Sequence, residues 1–231
     1  MNLRHSIHRR SFLRLTGSGA ALAVLHAAEA ATNRAAAVKP PASSGVSAAH
    51  RALLDRIARD FITIPRAEGQ FLHLLVRLSR AQRVLELGTG YGYTTLWLAL
   101  ALDETGGELT TVEIQPDRAA RAREHLAEAG LARRVRFHIG DAHTILPGLP
   151  GPFDLAYLDA DKDGQVDYFK KLYPDKLPPG SLLIAHNAIL RADAMKDYLD
   201  LVTKHPALDT LIVRAVPEDG FAVSYRRRGR H

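Results

Sequence analysis

Residues 83–95 read RVLELGTGYGYTT, an apolar run of strand length that ends in three glycines and leads into a helix-forming stretch. Strand, glycine loop and helix in this order are typical of folds that bind a nucleotide-bearing ligand. The dinucleotide fingerprint has its third glycine three positions after the second, whereas Gly92 comes after two and Tyr93 fills that position. The loop also lacks the Lys-Ser or Lys-Thr pair of a P-loop. A pyrophosphate cradle is therefore not predicted.

Strand-length apolar runs alternate with helical stretches around this loop. The runs are RVLELG, LTTVEI, VRFHIG, FDLAYLDA and SLLIAHN. Repeated strand–helix units predict a parallel sheet covered on both faces. LDTLIVRAV and GFAVSYRRR follow, joined by PEDG, and predict an antiparallel closing hairpin. The expected fold class is α/β: a Rossmann-like, doubly wound, mostly parallel seven-stranded sheet with a C-terminal antiparallel hairpin.

Two amphipathic helices are predicted before the first strand. Apolar residues at helical spacing define the face that each should bury. For the first helix these residues are Leu53, Leu54, Ile57 and Phe61, and for the second they are Phe71, Leu74, Leu75 and Leu78.

Composition and charge limit the class of protein. The 231 residues are 46% hydrophobic and 24% charged, which is typical of a soluble globular chain. The net charge of +6 comes from the two ends, because residues 1–34 carry five arginines against one glutamate and residues 226–230 carry four arginines. A nucleic-acid partner is therefore not favoured, since such proteins place basic residues over one face of the fold. The absence of cysteine excludes disulfides and thiolate metal sites.

The first thirty residues resemble a twin-arginine export signal. Arg9 and Arg10 precede Phe12, a mildly apolar stretch covers residues 15–25, and Ala28-Glu29-Ala30 offers a cleavage site. The apolar stretch is too short to span a membrane. The domain prediction is a signal over 1–30, a linker over 31–46 and one folded domain over 47–231. The predicted location is the periplasm or cell exterior; the alternative is a basic extension on a cytoplasmic protein.

Acidic residues follow the second and third strands. Because the carboxyl ends of parallel strands form the binding edge, Glu113 is placed to accept hydrogen bonds from ribose hydroxyls, and Asp141 to read an adenine edge. Glu113 alone is equally compatible with capping the helix that opens at Pro116. Taken in order with the glycine loop, the two residues favour adenosine without a pyrophosphate.

The chain resembles the S-adenosylmethionine-dependent O-methyltransferases of the catechol and caffeoyl-CoA type over residues 50–228. The matching segments are EGQFLHLLVRLSRAQRVLELGTGYGYTTLWLALAL, VEIQPDRAARAR, GDAHTILPGL and FDLAYLDADKDGQVDYF, in that order. The resemblance implies a set of S-adenosylmethionine contacts: Glu86, Gly88, Gly90, Thr94, Glu113, Asp141, Ala142 and Asp159. It also leads us to expect a homodimer.

The resemblance further implies a divalent cation that binds both oxygens of a catechol, assisted by a lysine. Its ligands are an aspartate in DADK and an Asp-Asn pair after the fifth strand. Asp159 and Lys162 match the first aspartate and the lysine, but His186 stands where the second aspartate is expected, before a retained Asn187. The predicted metal ligands are Asp159, His186 and Asn187, and the predicted catalytic residues are Asp159, Lys162 and His186.

Three interpretations of His186 remain open. An imidazole among the ligands disfavours Mg²⁺, which prefers oxygen, and favours Mn²⁺, Fe²⁺ or Zn²⁺. Alternatively the metal is lost and His186 acts as a general base, or His186 is a packing residue. The remaining histidines, such as His73, His125 and His143, are taken as surface or half-buried residues, and Trp97 as a core residue.

The predicted activity is methyl transfer from S-adenosylmethionine to a hydroxyl of a small molecule, with a phenol or a vicinal diol as the expected acceptor. One alternative is methylation of a hydroxyl on a tRNA base, against which the charge distribution argues. Another alternative is a protein that binds S-adenosylmethionine without catalysis. The change of an expected metal-ligand aspartate to His186 is the reason to consider it.

Overall fold

The computed structural model describes residues 45–229. The export signal predicted for residues 1–30 lies outside this range, as does nearly all of the predicted linker. Val46, which the sequence assigns to the linker, is buried in the core, and its carbonyl accepts a hydrogen bond from Arg51. The folded domain therefore includes the last residue of the predicted linker.

Strands and helices alternate through the described chain. The helices are α1 (Ala48–Asp60), α2 (Arg66–Ser79), α3 (Tyr93–Thr105), α4 (Pro116–Glu128), α5 (Ala142–Ile145), α6 (Gln165–Leu172) and α7 (Lys196–Lys204). The strands are β1 (Arg83–Leu87), β2 (Glu108–Glu113), β3 (Val135–Ile139), β4 (Leu155–Leu158), β5 (Leu182–His186), β6 (Leu208–Arg214) and β7 (Gly220–Arg226).

The strands form one sheet with the order β3-β2-β1-β4-β5-β7-β6. The first five run parallel, and β7 is antiparallel to both β5 and β6. This confirms the predicted fold class, including the closing hairpin. The strand order reverses between β1 and β4, so a crevice opens there at the carboxyl ends of the strands, where ligands bind in such sheets.

Side chains of the central strands alternate between two apolar layers, one on each face of the sheet. Val84, Tyr157 and Ile184 point into the layer that contains α3. Leu85 and Leu158 point into the opposite layer. Helix α3 is buried on every side from Tyr93 to Leu102, which explains why its sequence is apolar without helical periodicity. Trp97 is fully buried within it and is a core residue, as predicted.

The predicted buried face of α2 is correct only in part, because Phe71 and Leu75 are partly buried and pack against the core. Leu74 and Leu78 are exposed, Leu78 to 71%, and the helix instead buries Gly69, Leu72 and Val76. The cause is Trp97, whose indole ring fills the space that a side chain at position 69 would occupy. A small residue allows α2 and α3 to approach closely, and this contact sets the rotation of α2 about its axis.

After β5, turns occupy residues 187–195, and the next helix begins only at Lys196. Asn187 itself has a φ of 61°, a left-handed conformation that asparagine tolerates better than most residues. The chain therefore bends sharply after β5 and keeps the following turns beside the crevice. In the described part of the chain, no helix has the length and apolar character needed to cross a bilayer.

Candidate active site

A cavity of about 710 Å³ opens at the carboxyl edge of the sheet, within the range of roughly 300–1,000 Å³ that is usual for small-molecule sites. All the predicted site residues except Glu86 and Lys162 line it. Those that do are Gly88, Gly90, Thr94, Glu113, Asp141, Ala142, Asp159, His186 and Asn187.

The glycine loop passes close to the end of β4. Gly88 has a φ of 99°, and a Cβ atom there would lie 2.7 Å from the carbonyl oxygen of Asp159. Gly90, with a φ of 53°, has no atom within 4 Å of its notional Cβ and faces the open cavity. The first glycine is thus required by the backbone of β4, whereas the second leaves room for a ligand.

Glu113 braces the glycine loop. Its Oε2 accepts a hydrogen bond from the backbone N–H of Gly90 at 2.7 Å, and its Oε1 accepts one from Gln115 at 2.9 Å. Gln115 is the N-cap of α4, and its own side chain makes no capping hydrogen bond. Glu113 therefore contacts the N-cap residue of the helix that opens at Pro116 as well as the glycine loop, so its alternative role at the start of that helix stays open.

Asp141 caps the short helix α5. Its carboxylate accepts hydrogen bonds from the backbone N–H of His143 and from the hydroxyl of Thr144, both at 3.0 Å. Ala142 is the next residue along the chain, and both Asp141 and Ala142 line the cavity. The carboxylate is therefore fixed in place at the cavity wall before any ligand binds.

Glu86, predicted to contact the cofactor, lies beneath the cavity and is fully buried. Its Oε2 accepts hydrogen bonds at 2.7 Å from the hydroxyls of Thr95 and Thr111, while Oε1 has no partner. Burial raises the pKa of Glu86 from 4.5 to about 8, although the two threonine hydrogen bonds oppose the change. Glu86 is therefore a largely protonated group at neutral pH that joins β1 to β2 and α3.

Asp159, at the end of β4, holds three donors. Its Oδ1 accepts hydrogen bonds from Lys162 Nζ at 2.8 Å and from His186 Nδ1 at 3.0 Å, and its Oδ2 accepts one from the Tyr157 hydroxyl at 3.1 Å. Burial acts to raise the pKa of Asp159, but the hydrogen bond and charge of His186, together with Lys162, outweigh it and lower the pKa. The structure thus brings the three predicted catalytic residues together.

The second ring nitrogen of His186 meets residues that the sequence analysis missed. Glu68, from α2, places its Oε2 3.0 Å from His186 Nε2, and Asp219, from the β6–β7 turn, lies 3.8 Å from the same nitrogen. Glu68 is fully buried, and its Oε1 has no hydrogen-bond partner. The sequence offers no signal for this role, because a glutamate in the first turn of a helix is equally suited to the surface.

His186 is positively charged at neutral pH. Burial alone would lower the pKa of His186, but the hydrogen bonds and charges of Asp159 and Glu68 outweigh it and raise the pKa to about 9. A group of this kind keeps its proton throughout the physiological range. A doubly protonated ring has no available nitrogen lone pair, so in this state it can neither accept a proton nor bind a metal ion.

The donor atoms for a divalent cation are already engaged. Asp159 faces Nδ1 of His186, whereas Asn187 lies on the Nε2 side and donates to Asp219, so the predicted ligands do not surround one point. Glu68, His186 and Asp219 do offer ligand atoms within 4.8 Å of one another, yet Asp219 also accepts backbone N–H groups of Ile189 and Leu190. In this arrangement the predicted ligand set Asp159, His186 and Asn187 does not fit a divalent cation.

The other histidines have structural partners. His73 and His125 are buried rather than at the surface, and each ring nitrogen Nδ1 contacts a backbone carbonyl, those of Trp97 and Tyr91. His143 stacks on Tyr168 with ring centroids 4.2 Å apart. His143 also bonds to Asp161 and Asp167, and thereby ties the Asp141 turn to the segment that carries Asp159 and Lys162.

The mouth of the cavity is apolar and open. Ile62 is 96% exposed and Leu190 is 60% exposed, although both line the cavity. Ile64, Pro65 and Val216 continue the same wall. A ligand with an apolar face would cover these side chains and remove them from water.

Comparison with known proteins places the chain in a family. The sequence profile described as O-methyltransferase matches residues 49–219. A catechol O-methyltransferase from Mycobacterium tuberculosis is 35% identical over 202 residues, which cover 81% of this chain and 89% of that protein. A catechol O-methyltransferase from Niastella koreensis is 41% identical over 133 residues, which cover 55% of this chain and 59% of that protein.

Solved structures of O-methyltransferases share the fold. TomG from Streptomyces achromogenes, in complex with S-adenosylmethionine, matches with a TM-score of 0.70 and 28% identity over 79% of this chain and 91% of that one. An O-methyltransferase from Bacillus cereus, in complex with S-adenosylhomocysteine, matches with a TM-score of 0.72 and 26% identity over 86% of this chain and 97% of that one. The chain therefore belongs to the O-methyltransferase family and is an S-adenosylmethionine-dependent O-methyltransferase.

Proposed function

We propose that the methyl acceptor is the hydroxyl of a small phenol, including vicinal diols of the catechol kind. The observation that carries this proposal is a contrast within the cavity. Asp159 and His186 line it as an ionic group, to which Lys162 is joined through Asp159, and Ile62 and Leu190 form an exposed apolar wall. An aromatic ring would cover the wall while its hydroxyl reaches the ionic group.

In this proposal the adenosyl part of the cofactor binds at the opposite end of the cavity. Glu113 accepts the ribose hydroxyls, Asp141 and the Ala142 backbone meet the adenine, and Gly90 and Thr94 line the path between them. These groups are fixed by hydrogen bonds within the chain, Glu113 to Gly90 and Asp141 to His143. The methionine end then lies beside Gly88 and Asp159, which directs the methyl group toward the acceptor.

The reaction is a direct displacement. The acceptor oxygen attacks the methyl carbon, the carbon–sulfur bond breaks, and S-adenosylhomocysteine forms with the electron pair on sulfur. A phenol has a pKa of about 10, so it must be helped to ionise near neutral pH. The positive charges of Lys162 and His186 favour the phenolate, Asp159 orients both of them, and the phenolic proton leaves to water through the open mouth.

The direct test supplies the protein with methyl-labelled S-adenosylmethionine and a set of phenols, catechols and aliphatic alcohols, and identifies products by mass spectrometry. We expect methyl ethers from the phenolic acceptors only. Tight binding of S-adenosylmethionine without any methylated product would instead favour a non-catalytic binding protein. Methylation of unmodified tRNA in a parallel reaction would favour the nucleic-acid alternative.

Replacing Lys162 tests its role in ionising the acceptor. Lys162→Met is expected to lower kcat by about 100-fold, because it removes one of two charges that stabilise the developing phenolate. Cofactor affinity should change little, since the Lys162 side chain bonds to Asp159 and to none of the residues proposed to hold the adenosyl group. Lys170→Met, which alters an exposed lysine of the nearby helix α6, is the matched control and should leave kcat unchanged. Equal kcat values for both variants would remove Lys162 from the mechanism.

Replacing Glu113 tests the cofactor end. Glu113→Gln is expected to weaken S-adenosylhomocysteine binding about 30-fold, or about 2 kcal/mol, because charged hydrogen bonds to the ribose and to the Gly90 N–H are lost. Isothermal calorimetry measures the change. Asp117→Asn, an exposed acid in the first turn of α4, serves as the control and should bind normally. Unchanged affinity in Glu113→Gln would argue against ribose recognition by this residue.

We further propose that residues 1–30 act as a twin-arginine export signal and that the protein forms a homodimer. The Arg9-Arg10 pair and the small residues around Glu29 support the signal. N-terminal sequencing of the protein from fractionated host cells tests the first proposal, and analytical ultracentrifugation tests the second. An intact Met1 in the cytoplasmic fraction alone would contradict export.

A further inference from the structure

His186 lies between two carboxylates. Its Nδ1 is 3.0 Å from Asp159 Oδ1, and its Nε2 is 3.0 Å from Glu68 Oε2. Carboxylate oxygens are acceptors only, and a neutral imidazole has a proton on just one nitrogen. A second carboxylate at this distance from a bare ring nitrogen would set lone pair against lone pair. The geometry is therefore that of an imidazolium that donates from both nitrogens.

The three carboxylates that face the ring support its positive charge, whereas the amide nitrogen of Asn187, a donor, lies 3.5 Å from Nε2. Asp159 comes from the end of β4, Glu68 from α2 and Asp219 from the β6–β7 turn, and all three carboxylates lie within 4 Å of a ring nitrogen. Lys162, the one cation of the group, pairs with Asp159 on the side away from Glu68. Because the ring is buried, water screens these charges little and does not compete for hydrogen bonds with the ring nitrogens.

We propose that the His186 imidazolium replaces the divalent cation implied by the resemblance to catechol-type enzymes, so that the protein ionises its acceptor without a metal. This inference rests on the proposed methylation of phenols. The resemblance implies a site of two aspartates, one asparagine, one lysine and a dication, which carries one net positive charge. For the matching positions alone, Asp159, protonated His186, Asn187 and Lys162 carry the same net charge with no ion added; the carboxylates of Glu68 and Asp219, which also face the ring, are counted in neither sum.

The replacement has a consequence for the acceptor. A cation can bind two neighbouring oxygens at once and so selects vicinal diols, whereas both N–H groups of His186 are occupied by Asp159 and Glu68. The imidazolium therefore acts through its charge and makes no chelate. We expect phenols with one isolated hydroxyl to be methylated with kcat/KM within about tenfold of the matching catechol, since no bidentate contact is lost.

The test compares the unmodified protein with His186→Asp, which restores the aspartate implied by the resemblance. After dialysis against a chelator, the unmodified protein should keep its turnover and show no Mn²⁺ binding by electron paramagnetic resonance with S-adenosylhomocysteine present. His186→Asp should bind one Mn²⁺ per chain and require Mn²⁺ or Mg²⁺ for turnover. His138→Asp, which adds the same carboxylate on β3 outside the cavity lining, should bind none.

The result that overturns the inference is one Mn²⁺ or Zn²⁺ per chain in the unmodified protein, with turnover lost on its removal and regained on its return. A nitrogen-15 spectrum of the His186 ring should show two N–H groups at pH 7, and a single N–H group would also overturn the inference. The metal-binding, turnover and nitrogen-15 measurements on the unmodified protein decide the question even if His186→Asp does not fold. If no phenol is methylated with or without metals, the proposed function fails, while metal binding and the ring spectrum still decide the role of His186.

Discussion

Gly88→Ala is expected to prevent cofactor binding and to lower the free energy of unfolding by about 4 kcal/mol. The added methyl group would lie 2.7 Å from the carbonyl oxygen and 2.8 Å from the carbonyl carbon of Asp159. Both are backbone atoms of the segment that ends β4, so neither can rotate away. The positive φ of 99° adds conformational strain for any residue with a Cβ.

Gly90→Ala is the matched control, two residues along the same loop. Its φ of 53° is also positive, but a Cβ there meets nothing within 4 Å, so the expected loss is only about 1–2 kcal/mol of left-handed strain. Urea unfolding of both variants measures the difference. Equal destabilisation would mean that φ, rather than the close approach to β4, governs the choice of glycine at position 88.

Glu86→Gln is expected to stabilise the protein at neutral pH by about 2 kcal/mol. The pKa of Glu86 is raised from 4.5 to about 8 in the folded protein, so folding must neutralise a carboxylate that is ionised when the chain is unfolded. This cost is absent below pH 4.5, grows as the pH rises to 8, and reaches about 3 kcal/mol at pH 7. Glutamine removes this free-energy cost, but its buried amide N–H is left unpaired, which costs about 1 kcal/mol.

The measurement is the free energy of unfolding at pH 5 and pH 8 for the unmodified protein and Glu86→Gln. The gain should be small at pH 5 and largest at pH 8. Glu108→Gln changes another glutamate on the same sheet, one that pairs with Arg136 at the surface, and should show no such pH dependence. A stability gain that does not grow with pH would mean that Glu86 is ionised in the folded state.

The sheet was predictable because its signals are local. Three neighbouring segments predict it: the apolar run at 83–87, the glycines after it and the buried stretch Tyr93–Leu102. The apolar residues within the strand and the helix are enough to predict that each is buried. Leu74 and Leu78 were wrongly assigned to the buried face of α2 because that face depends on a distant residue, Trp97, which packs against Gly69. The spacing of apolar residues along a helix shows which face is apolar. It does not contain the shape of the neighbouring element against which that face packs.

The environment of His186 was less accessible to sequence reasoning. Asp159, Lys162 and Asn187 were found through short segments that the family resemblance marks. Glu68 is 118 residues from His186 along the chain, and only the packing of α2 against α3 brings it under the ring. The charge of His186 follows from that contact, so the choice among metal ligand, base and packing residue could not be made from the sequence.

The contact between Glu113 and Gly90 exists before any ligand arrives, because the carboxylate already holds the loop N–H at 2.7 Å. A loop that is held in its bound shape loses little conformational entropy when it closes on a ligand. With the cofactor placed as proposed, exchange of S-adenosylhomocysteine for S-adenosylmethionine requires no reordering of this loop, and we expect that exchange not to limit turnover.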